Sequence, residues 1–211
     1  MREDPRAVSK GRLEAFSDGV MAIAITLLVL DLRVPAPGSP GGLAASLGRE
    51  WPAYVSYATS FLTIGIIWVN HHAMLSRLRA VDQGVLFLNL VLLLCIVLLP
   101  FTTALMAEYL RESTGETLAA AIYGASLLAM SAAFLVCQRY ALFGHEEMVV
   151  EGLGREQRSL IFRRSSFGLL PYAAATLLAL ASPYLTLAIC AAIALYYALP
   201  SSRGGRAAGI G

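Results

Sequence analysis

An all-α integral membrane protein is the fold class this sequence predicts, and three observations predict it. Of 211 residues, 57% are apolar and 14% charged, against about 25% charged in soluble domains. Uncharged stretches close to a bilayer's thickness recur between the ionised residues. Once those stretches are taken as crossings, the 16 Lys and Arg residues segregate to alternate loops. A formal charge of +2 with no basic arm speaks against a nucleic-acid partner.

A helix crossing ~30 Å of hydrocarbon needs about 20 largely apolar residues. The first run is short, because Asp18 and Asp31 enclose 12 residues, about 18 Å of helix. Such a helix crosses only where protein or water shields its charged ends, which makes it the interior helix. The run Pro35 to Gly42, with three prolines and three glycines, is a turn-rich outer loop. Glu50 and Arg77 enclose 26 residues, Asp82 and Glu108 enclose 25, and Glu116 and Arg139 enclose 22, giving one span each.

The mixed-charge stretch Gly144 to Arg158 is a linker or a short surface helix. Arg164 and Arg203 enclose 38 residues, enough for two short spans. Ser182-Pro183 splits them, since proline disfavours helix at the preceding residue and lacks an N–H. Six spans result. They divide the chain into a cytoplasmic segment 1–15, a six-helix domain 16–200 and a disordered cytoplasmic tail 201–211.

Both termini then lie on the cytoplasmic side, where 13 of the basic residues gather, leaving Arg33, Arg49 and Arg111 outside. Five outer acids, among them Asp31 at the outer mouth, give that side a balance of −2, a sign that mildly enriches cations. No A-x-A-like site follows the first run, so it is not a cleaved signal peptide. Cys95, Cys137 and Cys190 sit inside apolar runs without metal-ligand spacing, so neither disulfide nor metal is encoded.

The chemistry concentrates in Arg12-x-x-x-Phe16-Ser17-Asp18 and the apolar run behind it. At about 100° per residue, Leu27 and Leu30 fall within about 40° of Ile23, with Gly19 at the stripe's edge and Thr26 about 60° away. Asp18 points elsewhere. Trp68, Asn70, His71 and His72 on the second span lie at the depth of Asp18. The expectation is that Arg12, Ser17 and Asp18 hydrogen-bond with some of those four, locking two helices together. Adjacent histidines diverge by about 100° and do not share a metal ion. A proton relay through Asp18 and His71 is the competing use of these groups, and a packed core face is the competing use of the stripe.

These residues resemble prokaryotic members of the transmembrane protein 175 family of potassium channels. The likeness rests on Arg12-x-x-x-Phe16-Ser17-Asp18, on the run Ala22 to Leu32 with Thr26 and Asp31 in it, and on Trp68-x-Asn70-His71-His72. It implies a homotetramer with the first helix of each subunit lining a central pore. Ile23 would form the narrow hydrophobic ring, Thr26 a hydroxyl ring, and Leu27 and Leu30 further gate layers. Phe16, Ser17 and Asp18 would organise the helix contacts behind them.

The function so implied is a potassium channel, modestly selective over sodium, with no cofactor and no enzymatic activity. The T-V-G-Y-G carbonyl filter does not occur in the sequence. The alternative is a proton-coupled secondary transporter using Asp18 and His71. One Lys among 16 basic residues, with abundant Ala, Gly and Arg, indicates a GC-rich bacterial genome, hence the plasma membrane.

Overall fold

The structure, a computed structural model, describes residues 9–112 and 114–198. Residues 1–8 lie outside the described residues, and so does the tail 201–211 for which the sequence predicts disorder. The described chain is helical. α1 (Lys10–Leu27) runs unbroken through residues 15 and 16 and tightens into a 3-10 turn over Leu28–Asp31. Leu13, Ser17, Met21, Ala24 and Leu28 are buried, and their three- and four-residue spacing marks one face of a helix.

Beyond Leu32 the chain turns outward through the proline- and glycine-rich loop. Gly41 precedes the short α2 (Gly42–Arg49) at φ 84°, a left-handed conformation that favours glycine. Arg49 Nη2 closes this unit on the Pro40 carbonyl at 3.0 Å and the Ser46 hydroxyl at 2.9 Å. The outer loop thus ends in a helix the sequence reading did not place. α3 (Trp51–Leu75) follows, with Pro52 in its first turn, where no N–H partner is required.

The stretch expected as one span between Asp82 and Glu108 is two helices, α4 (Gln83–Val97) and α5 (Leu99–Glu112). Pro100 is the cause, because its ring and missing N–H disrupt the preceding turn. Asp82 caps α4, its Oδ1 accepting from the Val85 amide at 2.9 Å. α6 (Glu116–Phe143) is the longest helix described. The expected linker behind it holds a 3-10 turn, Glu146–Met148, and a bridge between Leu78 and Val149. α7 (Arg155–Ser166), α8 (Leu169–Leu178) and α9 (Pro183–Ala198) complete the order, with α9 beginning at Pro183.

α6 is the hub, packed on α4, α5, α8 and α9, whereas α1 lies at the edge on α3 and α4. Gly124 lets α6 approach α8 closely, since a Cβ there would meet the Thr176 Cα at 3.0 Å. The core mixes apolar side chains with bonded hydroxyls: Ser60 Oγ lies 2.7 Å from Thr103 Oγ1 and 3.0 Å from Tyr123 Oη. Such interhelical bonds supply association that lipid does not drive. Among the described residues four stretches are long and apolar enough to cross a membrane: Lys10–Asp31, Trp51–Leu75, Gln83–Glu112 and Glu116–Phe143. α9 is a shorter apolar helix.

Candidate functional site

α1 has two faces with opposite surroundings. On the inward face, the fully buried Ser17 donates to the Leu13 carbonyl at 2.8 Å. Its oxygen then accepts from Asn89 Nδ2 at 2.9 Å. Asn89 Oδ1 lies 2.8 Å from His71 Nε2, and a carbonyl oxygen only accepts, so Nε2 carries the proton. A chain of side-chain hydrogen bonds therefore runs from α1 through α4 to α3, closed to water because Ser17, Asn89 and His71 are all fully buried.

Beside it, α1 and α3 meet in two further rungs. Trp68 Nε1 donates to Asp18 Oδ1 at 2.9 Å, and His72 Nδ1 lies 2.8 Å from Glu14 Oε1. Residues four apart share a helix face, so Glu14 and Asp18 meet His72 and Trp68 as antiparallel helices require. Lys10 extends the clamp by donating to the Leu78 carbonyl at 2.8 Å.

Two expected members stand outside this set. Asn70 follows Trp68 by two residues, about 200° around the helix, and lines a cavity with Thr63 and Arg164 instead. Arg12 lies about 200° from Glu14 on the exposed face, and neither Asn70 nor Arg12 forms a side-chain bond among the described residues. Asp18 and His71 hold different partners, Trp68 and Asn89, so no direct hydrogen bond joins the two members of the suggested relay. His71 is buried and His72 exposed, in keeping with adjacent side chains that diverge.

Asn89 and Glu14 are functional neighbours that the sequence reading missed. The available signal was a lone amide inside the apolar run of α4, since a polar group at membrane depth finds a partner.

The outward face of α1 is bare. Phe16 is 53% exposed, Ile23 61%, Leu27 43% and Leu30 74%, with Gly19 and Thr26 also exposed between them. Thr26 Oγ1 donates to the Ile23 carbonyl at 2.8 Å. Its proton is thereby committed to the helix, and its lone pairs remain on the open side. Asp31 and Leu30 border a 410 Å³ cavity with Arg33, Glu50, Phe101 and Glu108. Around it Arg111 pairs with Glu50 at 2.7 Å and Glu108 at 2.6 Å, and Arg33 with Glu108 at 3.4 Å. The outer acids other than Asp31 are thus largely held by arginines.

These features define a helical membrane protein whose helix α1 is clamped on one side and, among the described residues, unpartnered on the other. The model of the family described as "Endosomal/lysosomal potassium channel TMEM175" matches residues 12–100, a range that takes in α3, α4 and all of α1 but its first two residues. A potassium channel of Streptomyces collinus is 45% identical over 190 residues, 89% of this chain and 90% of that protein. A potassium channel of Chamaesiphon minutus is 37% identical over 204 residues, covering 96% and 100%. The crystal structure of a lysosomal potassium-selective channel TMEM175 homolog from that organism superposes with a TM-score of 0.80 over 90% of this chain and 96% of its own. The chain belongs to the TMEM175 family, a family of ion channels and not of enzymes.

Proposed function

We propose that this chain is one subunit of a potassium channel of the plasma membrane, in which four copies surround a pore lined by α1 of each. One observation carries the reading. The face of α1 bearing Ile23, Leu27 and Leu30 has no partner among the described residues, while the opposite face is fixed by buried hydrogen bonds. A symmetric axis shared with identical neighbours supplies the missing surroundings. The 12 uncharged residues between Asp18 and Asp31 are too few to match ~30 Å of hydrocarbon, and a watered axis removes that mismatch.

Each subunit then crosses six times, by α1, α3, α4 with α5, α6, α8 and α9, with both termini on the basic, cytoplasmic side. Relatives covering nine-tenths or more of their own length are named potassium channels, which supports the choice of ion.

Selectivity without a carbonyl filter follows from dehydration. A ring of Ile23 side chains is a hydrophobic constriction, and such constrictions gate by dewetting. When slightly wider, it passes only ions that shed part of their water. Potassium holds its shell less tightly than sodium, so the ring favours it modestly. Thr26 oxygens, their protons turned onto the Ile23 carbonyls, face the ion as acceptors and replace part of the lost water. Leu27 and Leu30 add apolar layers, and Asp31 at the outer mouth raises the local cation concentration.

Potassium flux from liposomes holding the purified protein, with its oligomeric mass measured in the same preparation, tests the proposal. Potassium efflux exceeding sodium efflux from a tetramer is expected. A monomer, or a tetramer without flux, contradicts it.

A further inference from the structure

A second feature lies apart from the bare face of α1, on the basic side of the membrane. There α3, α6, α7, α8 and α9 leave a 220 Å³ cavity. Its floor carries the buried Thr63, Ser131 and Tyr172, and its mouth carries the exposed Asn70 and Arg164 beside Ser165. Among the described residues no acidic side chain lines it. Arg164 forms no ion pair among the described residues, and Asn70 contributes nothing to the α1 clamp. A guanidinium, an amide and hydroxyls converging without a counter-charge suit a phosphate.

The cavity adjoins a second, apolar one. Asn70, Ile66 and Tyr197 border both. The second, 500 Å³ in volume, runs along α3 past Phe61, Leu62, Gly65, Val69 and Trp68. Trp68 turns its N–H to Asp18, so the apolar part of its ring is left for the groove. Gly65 widens it, because a Cβ there would meet nothing within 4 Å. A polar, positively charged pocket at the membrane's basic surface, continuous with an apolar furrow toward the midplane, has the chemistry of a phospholipid. Tyr197 at the junction, and Trp68 in the furrow beside it, are residue types that settle at the headgroup level.

We propose that this double cavity binds an anionic phospholipid, its headgroup phosphate on Arg164 with Asn70 and Ser165, and an acyl chain along the α3 groove. Basic pockets between transmembrane helices on the cytoplasmic side recognise such headgroups. The site shares Trp68 with the α1 clamp, and its assignment stands whether or not α1 lines a pore.

Trp68 is the reporter. The chain has two tryptophans, and Trp51 stacks on Tyr184, so Trp51→Phe keeps that contact and leaves one fluorophore. The Trp51→Phe protein is reconstituted into vesicles containing phosphatidylglycerol or phosphatidylcholine brominated on the acyl chains, and quenching is measured. Brominated phosphatidylglycerol should compete for the site about fivefold better than brominated phosphatidylcholine, the preference expected of one basic side chain at the membrane surface. Arg164→Gln should bring the ratio to one without changing the elution profile. Gly65→Leu, which fills the furrow, should weaken quenching by both lipids.

Equal quenching by the two lipids in the Trp51→Phe protein, or a preference that survives Arg164→Gln, overturns the site. Loss of the preference on adding soluble glycerol phosphate makes it a phosphate pocket and overturns the lipid assignment. A preference that emerges only on deleting residues 199–211 places the chain's own tail there, with the same consequence.

Discussion

The two faces of α1 are built from similar letters and live under different rules. Leu13, Met21, Ala24 and Leu28 are buried, and Ile23, Leu27 and Leu30 are 61%, 43% and 74% exposed. Hydropathy does not separate the two sets. What separates them is the polar residue each carries. Ser17, on the buried face, is tied to Asn89 and through it to His71, whereas Thr26, on the bare face, bonds only to its own helix. A helix at the edge of a subunit, fixed by three rungs on one side, is positioned to present the other. The lesson is that the unpartnered face becomes meaningful only because the partnered face leaves it no freedom to turn inward.

Substitutions can break this comparison, and on stability they should rank by face. Asn89→Leu strands the His71 Nε2 proton and the Ser17 lone pair in a dry interior. Each such group costs on the order of 1–3 kcal/mol, so a stability loss of about 2 kcal/mol or more is expected, seen as a lowered thermal midpoint in detergent. Trp68→Phe keeps the ring and removes one bond to a carboxylate at a half-open position, for roughly 1 kcal/mol. A double-mutant cycle with Asp18→Asn should return most of that as coupling energy.

Arg33→Gln breaks a 3.4 Å exposed pair and should cost about 0.5 kcal/mol at most, vanishing in molar salt. Ile23→Asn should leave the midpoint within about 0.5 kcal/mol, and yet change ion flow most. A polar ring abolishes both the dewetting barrier and the dehydration demand, so planar bilayers should record larger currents and an increased sodium-to-potassium permeability ratio. Unchanged permeability there, or a large stability loss, would merge the two faces and defeat the comparison.

Helices are legible in the sequence where charges bracket them and where Pro183 cuts them. Ser182-Pro183 does separate α8 from α9, and Asp82 does begin α4. Pro100 was passed over because counting uncharged residues is blind to a break that exposes no charge. α2 was hidden by the glycines before it. In the clamp, Asp18 and Trp68 were legible as a depth-matched acid and donor. Asn89 was not, because one amide among leucines barely alters hydropathy. Asn70 was grouped with its neighbours by proximity in sequence, although helical rotation turns it to the opposite side, where Arg164 lies. Arg12 stands with Ser17 and Asp18 in the sequence motif, but the same rotation places it with Phe16 on the open face.

The central claim is that Ile23 side chains of neighbouring copies converge on the path of the ion. With Cys95, Cys137 and Cys190 replaced by alanine, Ile23→Cys would set a ring of thiols at that point, and converging thiolates hold soft divalent metals. Val29→Cys, about 120° away on the same helix and also exposed, is the control. Micromolar cadmium should block potassium current through the Ile23→Cys protein and leave the Val29→Cys protein conducting. Full current through both in cadmium, or equal block of both, would contradict the account.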